Sequence, residues 1–228
     1  MKKPPSEMNR QESTGLYEGI QLDLKKQENY ETAHRLAVSR LAALDFRRQC
    51  QQAGAEVVGS GSPLQGRLQF LGRTFLVSHP SGEIVTESGE EVPLWEKIIT
   101  LHYLIHARGT SPSGELITYN DIPDGRLYYP NFVKRTSDVL LQAYGQQPEA
   151  LISAALKLGG IERPGLGNRA VVIPALPRVS YVFIVWKGDE EFPPQINVVF
   201  DRNISDYLPA EDITVLANMI AVKLMKIK

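Results

Sequence analysis

Cysteine is almost missing from this chain: Cys50 stands alone among 228 residues. A lone cysteine excludes an intramolecular disulfide framework and any zinc or iron–sulfur site built from several cysteines of the chain. A surplus of one charge is missing too, with 25 Lys and Arg against 26 Asp and Glu, a formal net charge of -1. Phosphate backbones are bound by concentrated Lys and Arg, so no nucleic-acid partner is expected. No apolar run reaches the roughly 18 residues that a spanning helix needs, so no membrane span is expected. A secretory leader is not readable, because Met1-Lys2-Lys3-Pro4-Pro5 leads into the polar stretch Ser6 to Gly15 where an apolar core belongs. The expected compartment is cytoplasmic.

What is present is enough for a core without staples. Apolar residues make up 43% of the chain, and a chain of this length buries about 70% of its unfolded surface. Residues 1–15 contain no periodic apolar pattern and read as a disordered tail. Residues 16–228 read as a single α+β domain with an N-terminal helical arm. Leu36, Leu41 and Leu44 recur near the helical period and predict one helix over 30–52, stopped by Gly54. Arg35, Arg40, Arg47 and Arg48 lie along it, a solvated basic face or a scaffold surface for a protein partner. Gly59-Ser60-Gly61-Ser62-Pro63 reads as a connector. Short strands follow over 67–71 and 74–78, with Gly72-Arg73 as a two-residue turn, and over 81–86. Pro93 opens a helix through Ala107, apolar on most of its circumference and therefore expected as a buried central helix.

The stretch 109–130 is rich in Gly and Pro, with Leu116 to Tyr119 as a short strand inside it. A connection that long is often functional. Helices are expected over 132–144 and 149–158. Strands are expected over 170–173, 179–186 and 195–200, where β-branched and aromatic residues dominate. Pro209 opens a C-terminal helix with Glu211 and Asp212 in its first turn and lysines at its end. The fold class is α+β: a mainly antiparallel sheet with flanking helices, including the buried central helix and the C-terminal one.

Several residues invite a chemical reading. Tyr128, Tyr129, Phe132 and Arg135 combine aromatic rings with a cation near the long loop. That set suits the edge of a ligand pocket for a flat or anionic molecule, with Arg135 binding the anion and Tyr128 supplying a hydroxyl. The alternative is that they anchor the loop to the core. His102 and His106 are four apart on one helix face, a spacing that can place two metal ligands together. The zinc-protease pattern needs a glutamate after the first histidine, and Tyr103 stands there. Without a metal, His102 is expected as a hydrogen-bonded core residue and His106 as a helix-end cation. Asp189 and Glu191 supply hard-cation oxygens or a general base. They read equally as a hairpin tip in water, with Phe192 folding back as an anchor. Asp201, Asn203 and Asp206 read as turn residues, and Glu211 and Asp212 as helix caps. No metal is expected from these groups; His102, His106, Asp189 and Glu191 are the alternative set. Cys50 reads as a buried thiol.

The run Trp186-Lys187-Gly188-Asp189-Glu190-Glu191-Phe192-Pro193, then Phe200-Asp201, then Tyr207 to Asp212, resembles the C-terminal signature of the prokaryotic domain-of-unknown-function family 3786. Leu101 to Ile105, with Tyr128, Phe132 and Arg135, is similar to that family's middle portion. The resemblance covers about Tyr30 to Leu224. It implies a bacterial or archaeal protein, common in anaerobes, with no established activity. Some relatives carry a cysteine-rich iron–sulfur segment, and some are associated with corrinoid-dependent one-carbon metabolism. Because Cys50 is alone, no iron–sulfur cluster is expected from this chain, and no residue is assigned as a corrinoid ligand. The expected function is therefore an uncharacterised ligand-binding or accessory protein taking a small anionic ligand or a protein partner. The alternatives are a small metal-assisted enzyme and an interaction scaffold.

Overall fold

A computed structural model describes residues 24–59, 61 and 63–227, with side chains from Glu28 onward. The tail expected over 1–15 lies outside the described residues.

Two helices replace the single one expected over 30–52: α1 (Leu24–Ala42) and α2 (Phe46–Ala53). The break has a local cause. The N–H groups of Ala43 and Leu44 turn back to the carbonyls of Arg40 and Leu41, closing α1. The Asp45 carboxylate then accepts from the Arg48 N–H and starts α2 as its N-cap. Restarting the helix changes which residues face inward. Ala37, Leu41, Phe46 and Cys50 are buried, whereas Leu36 and Leu44 are exposed. The four arginines are exposed. Cys50 is sealed against the first sheet, where a side chain on Gly66 would come within 2.9 Å of its sulfur. Burial pushes its thiol up to about 12.

The first sheet runs β1 (Glu56–Val58), β2 (Leu64–Phe70), β3 (Arg73–His79), β4 (Ile84–Thr86), antiparallel and in chain order. The β2–β3 turn is Leu71-Gly72, one residue earlier than expected. Both residues have positive φ, 47° and 77°, the geometry whose twist matches the flanking strands. A leucine tolerates that conformation here because its side chain is buried and its N–H bonds the Ala175 carbonyl at 2.9 Å. That bond joins the first sheet to the second.

The second sheet contains β5 (Leu116–Thr118), β6 (Ile161–Glu162), β7 (Arg169–Leu176), β8 (Val179–Trp186) and β9 (Gln195–Asp201). Its order is β5-β9-β8-β7-β6, antiparallel throughout. The helices around the sheets are α3 (Leu94–His106), α4 (Gly125–Arg135), α5 (Ser137–Tyr144), α6 (Pro148–Lys157) and α7 (Ala210–Lys226). The protein is α+β, with two antiparallel sheets rather than one, and a continuous apolar core passes through both.

Two helices are central. α3 buries Ile98, Ile99, Leu101, Tyr103 and Leu104, and the buried Gln49 amide donates to the carbonyls of Leu104 and Ile105 near its end. Such terminal carbonyls have no partner within the helix, so Gln49 supplies one. α7 buries Ile213, Leu216, Ala217, Ile220, Ala221 and Leu224. Three buried tyrosines from different elements donate to its carbonyls: Tyr119 to Ala210, Tyr181 to Ile213 and Tyr144 to Leu224. Tyr103 makes a comparable link elsewhere, donating to the Ala53 carbonyl and accepting from the Arg178 N–H. Replacing Tyr103 with Phe leaves a buried carbonyl and an amide without a partner. Urea unfolding should show Y103F destabilised by about 1–3 kcal/mol, with an unchanged m-value.

Candidate functional site

The cleft of interest forms where α7 is left uncovered between α1, the start of α3, and α4. It encloses about 750 Å³, within the range of small-molecule sites. Tyr30 from α1, Trp95 and Glu96 from α3, Tyr128 and Arg135 from α4, and Lys223 from α7 all border it.

Local sequence explains how α4 reaches the cleft. The long loop expected over 109–130 is instead β5, a 3-10 turn over Tyr119–Asp121, and α4 beginning at Gly125. Glycine is required at that start, because a Cβ there would sit 2.0 Å from the Tyr119 carbonyl oxygen. α4 contains Pro130, which is why the sequence reads as loop at this point. Placing the aromatic set on a helix separates its roles. Tyr128 and Arg135 face the cleft. Phe132 is buried and stacks on Tyr119, ring centroids 4.5 Å apart and 5° from parallel. It therefore backs Tyr119, which itself borders the cleft. Tyr129 is half-buried against the core. The Asn218 amide donates to the Arg135 carbonyl at 2.8 Å and ties the end of α4 to α7.

The electrostatics are unbalanced. Glu96 is 3% exposed, and its carboxylate is shared. Arg73 from β3 holds one oxygen, and the Lys223 ammonium is 3.9 Å from the other. One negative charge thus serves two positive ones. Burial lowers the Lys223 pKa; Glu96 opposes that effect and Arg73 adds to it. Arg135 and Lys226 border the same space, against the exposed Glu211. Burial raises the Tyr30 hydroxyl pKa, as do Glu211 and Asp212, while Arg135 acts in the opposite direction. The cleft is aromatic-walled with a surplus of cations.

The residues weighed for metal binding do not converge. The Asp189 carboxylate accepts from the N–H groups of Glu191 and Phe192 at 2.9 and 2.7 Å, and these bonds hold its pKa low. Phe192 is exposed and does not fold back as an anchor. His102 lies toward the other end of β8. Its Nδ1 is 2.6 Å from a carboxylate oxygen of Asp212, next to Ile213, whose carbonyl takes the Tyr181 hydroxyl. From Tyr181 to Trp186 alone the strand extends about 17 Å at ~3.3 Å per residue. The histidines and the hairpin acids therefore cannot share one ion. Among the described residues, no three His, Cys, Asp or Glu side chains gather as a ligand set. Asp201 accepts from the N–H groups of Ser113, Gly114 and Asn203, and Asp206 pairs with Arg108.

Two expectations about helix ends change. Pro209 is the N-cap of α7 and no side chain caps it. Glu211 borders the cleft and Asp212 turns inward to His102. His106 is not favoured as a cation: burial, then Arg40, His102 and Arg108, lower its pKa, with Asp212 opposing. Sequence reasoning also missed Glu96 and Lys223. Their pairing has no local signal, since α3 and α7 meet only in the folded chain.

An α+β protein with a lateral, aromatic and cationic cleft is the class that fold and site define. Residues 45–223 match the family described as Domain of unknown function (DUF3786), and the chain belongs to that family. No curated protein and no solved structure matches the chain. The matched span contains Glu96, Tyr128, Arg135 and Lys223, while Tyr30 of α1 lies outside it.

The histidines set a pH dependence. His34 and His106 both have pKa values lowered from 6.5, chiefly by burial. Protons then bind the unfolded chain more readily than the folded one. Their contribution to stability is complete above about pH 6.5 and is lost as pH falls toward the folded values. Urea midpoints should fall between pH 7 and 5, and H34Q/H106Q should flatten that slope.

Proposed function

We propose that this protein is a cytoplasmic ligand-binding or accessory protein whose cleft takes a small, flat anion. The family resemblance suggests anaerobic cofactor or one-carbon metabolism as its setting. The observation that carries the reading is the sharing of the buried Glu96 carboxylate between Arg73 and Lys223. The cations left over, with Arg135, border a space walled by Trp95, Tyr30 and Tyr128. A planar body is attracted to such walls, and an anionic group to the arginine fork. The membrane plays no part in the reading: no helix among the described residues is long and apolar enough to cross one.

Calorimetric titration with a panel of aromatic carboxylates and aromatic phosphates tests this. At least one should bind with an affinity that falls as salt rises. R135A removes a charge-assisted contact of about 1.5–3 kcal/mol, so Kd should rise roughly 10- to 100-fold. Equal affinities for the parent chain and R135A across the panel would exclude Arg135 as the anion contact.

A further inference from the structure

We propose that Lys223 is the reactive amine of this cleft, and that the molecule it takes is an aldehyde or ketone on a flat anionic body, held as an imine. The inference rests on the binding reading above and adds covalent chemistry to it.

Position carries the argument. The Lys223 side chain is 32% exposed, so its stem is packed while its amine opens on the cleft. Its carboxylate neighbour, Glu96, is 3.9 Å away and is also committed to Arg73. The ammonium therefore sits in a half-buried place, with a guanidinium close by and only a shared counter-charge. Desolvation next to another cation is the setting in which a lysine becomes a nucleophile near neutral pH. The lowered pKa already noted agrees with this. Lys226, also on the cleft, is exposed and lacks this setting. Trp95 and Tyr128 offer faces to a planar carbonyl compound, and Arg135 offers two parallel donors to its anionic group.

The step balances without an oxidant or reductant. The neutral amine adds to the carbonyl carbon, forming a C–N bond while the π pair moves to oxygen. The carbinolamine then expels that oxygen as water. Counted from the ammonium, R–NH3+ and O=CHR′ give R–NH+=CHR′ and one water. The positive charge beside Glu96 is therefore preserved.

The test is reductive trapping on the full chain at pH 7.5. The chain is incubated with 4-carboxybenzaldehyde, reduced with borohydride, digested and mapped by mass spectrometry. Label on Lys223 should exceed that on the exposed Lys134, Lys157 and Lys187 by about tenfold. K223R should lose that label while keeping the charge. R135A should cut Lys223 labelling by 4-carboxybenzaldehyde several-fold and leave labelling by uncharged benzaldehyde unchanged. Even labelling across the four lysines would overturn the proposal. Terephthalate, which has no aldehyde or ketone, is titrated in parallel against Trp95 fluorescence in a W186F background. Quenching with even labelling rejects the imine and keeps the binding reading. Concentrated labelling without quenching keeps the reactive amine and rejects the anion site.

Discussion

α7 is held by hydroxyl groups that reach it from outside its own helix, and the architecture depends on that attachment. Tyr119, Tyr144 and Tyr181 come from the 3-10 turn, α5 and β8, and each donates to a different carbonyl along α7. Apolar burial alone would let a helix slide or rotate on its neighbours, because the hydrophobic effect has no direction. A buried hydroxyl must find an acceptor, so each bond selects one position of the helix over its alternatives. The cleft inherits this accuracy, since Lys223 and Arg135 approach it from α7 and from a helix tied to α7 through Asn218.

The second constraint is electrical. A buried carboxylate costs several kcal/mol to desolvate, and pairing offsets this only with good geometry. Glu96 meets the condition through Arg73, which comes from the first sheet, while Lys223 completes the surroundings from α7. One carboxylate therefore connects β3, α3 and α7. The same side chain that links these elements leaves the cleft short of negative charge. Structural and chemical roles are not separable at this position.

What could be read from the chain followed the range of the signal. β8 was legible to its boundaries over 179–186, because period and β-branching act within a few residues. α3, with Pro93 before it and buried residues on most sides, was equally clear. The break between α1 and α2 was missed because one short polar side chain, Asp45, outweighs the periodicity around it. Tyr128 and Arg135 were legible as candidates by residue type, yet their placement on a helix was masked by Pro130. The pairing of His102 with Asp212 spans 110 residues and leaves no trace in local spacing. Glu96 carries no distinguishing sequence context at all; only the fold turns an ordinary glutamate into a shared buried anion.

Cys50 has a practical consequence. Its sulfur lies against Gly66 in the interior, with a thiol that stays protonated at ordinary pH. Because the chain contains no other thiol, a cysteine introduced at the cleft rim would be the sole group open to maleimide or nitroxide reagents. Spin or fluorophore pairs across α1 and α4 can thus be installed without first removing a native residue from the core, and the separation of those two walls becomes directly measurable in solution.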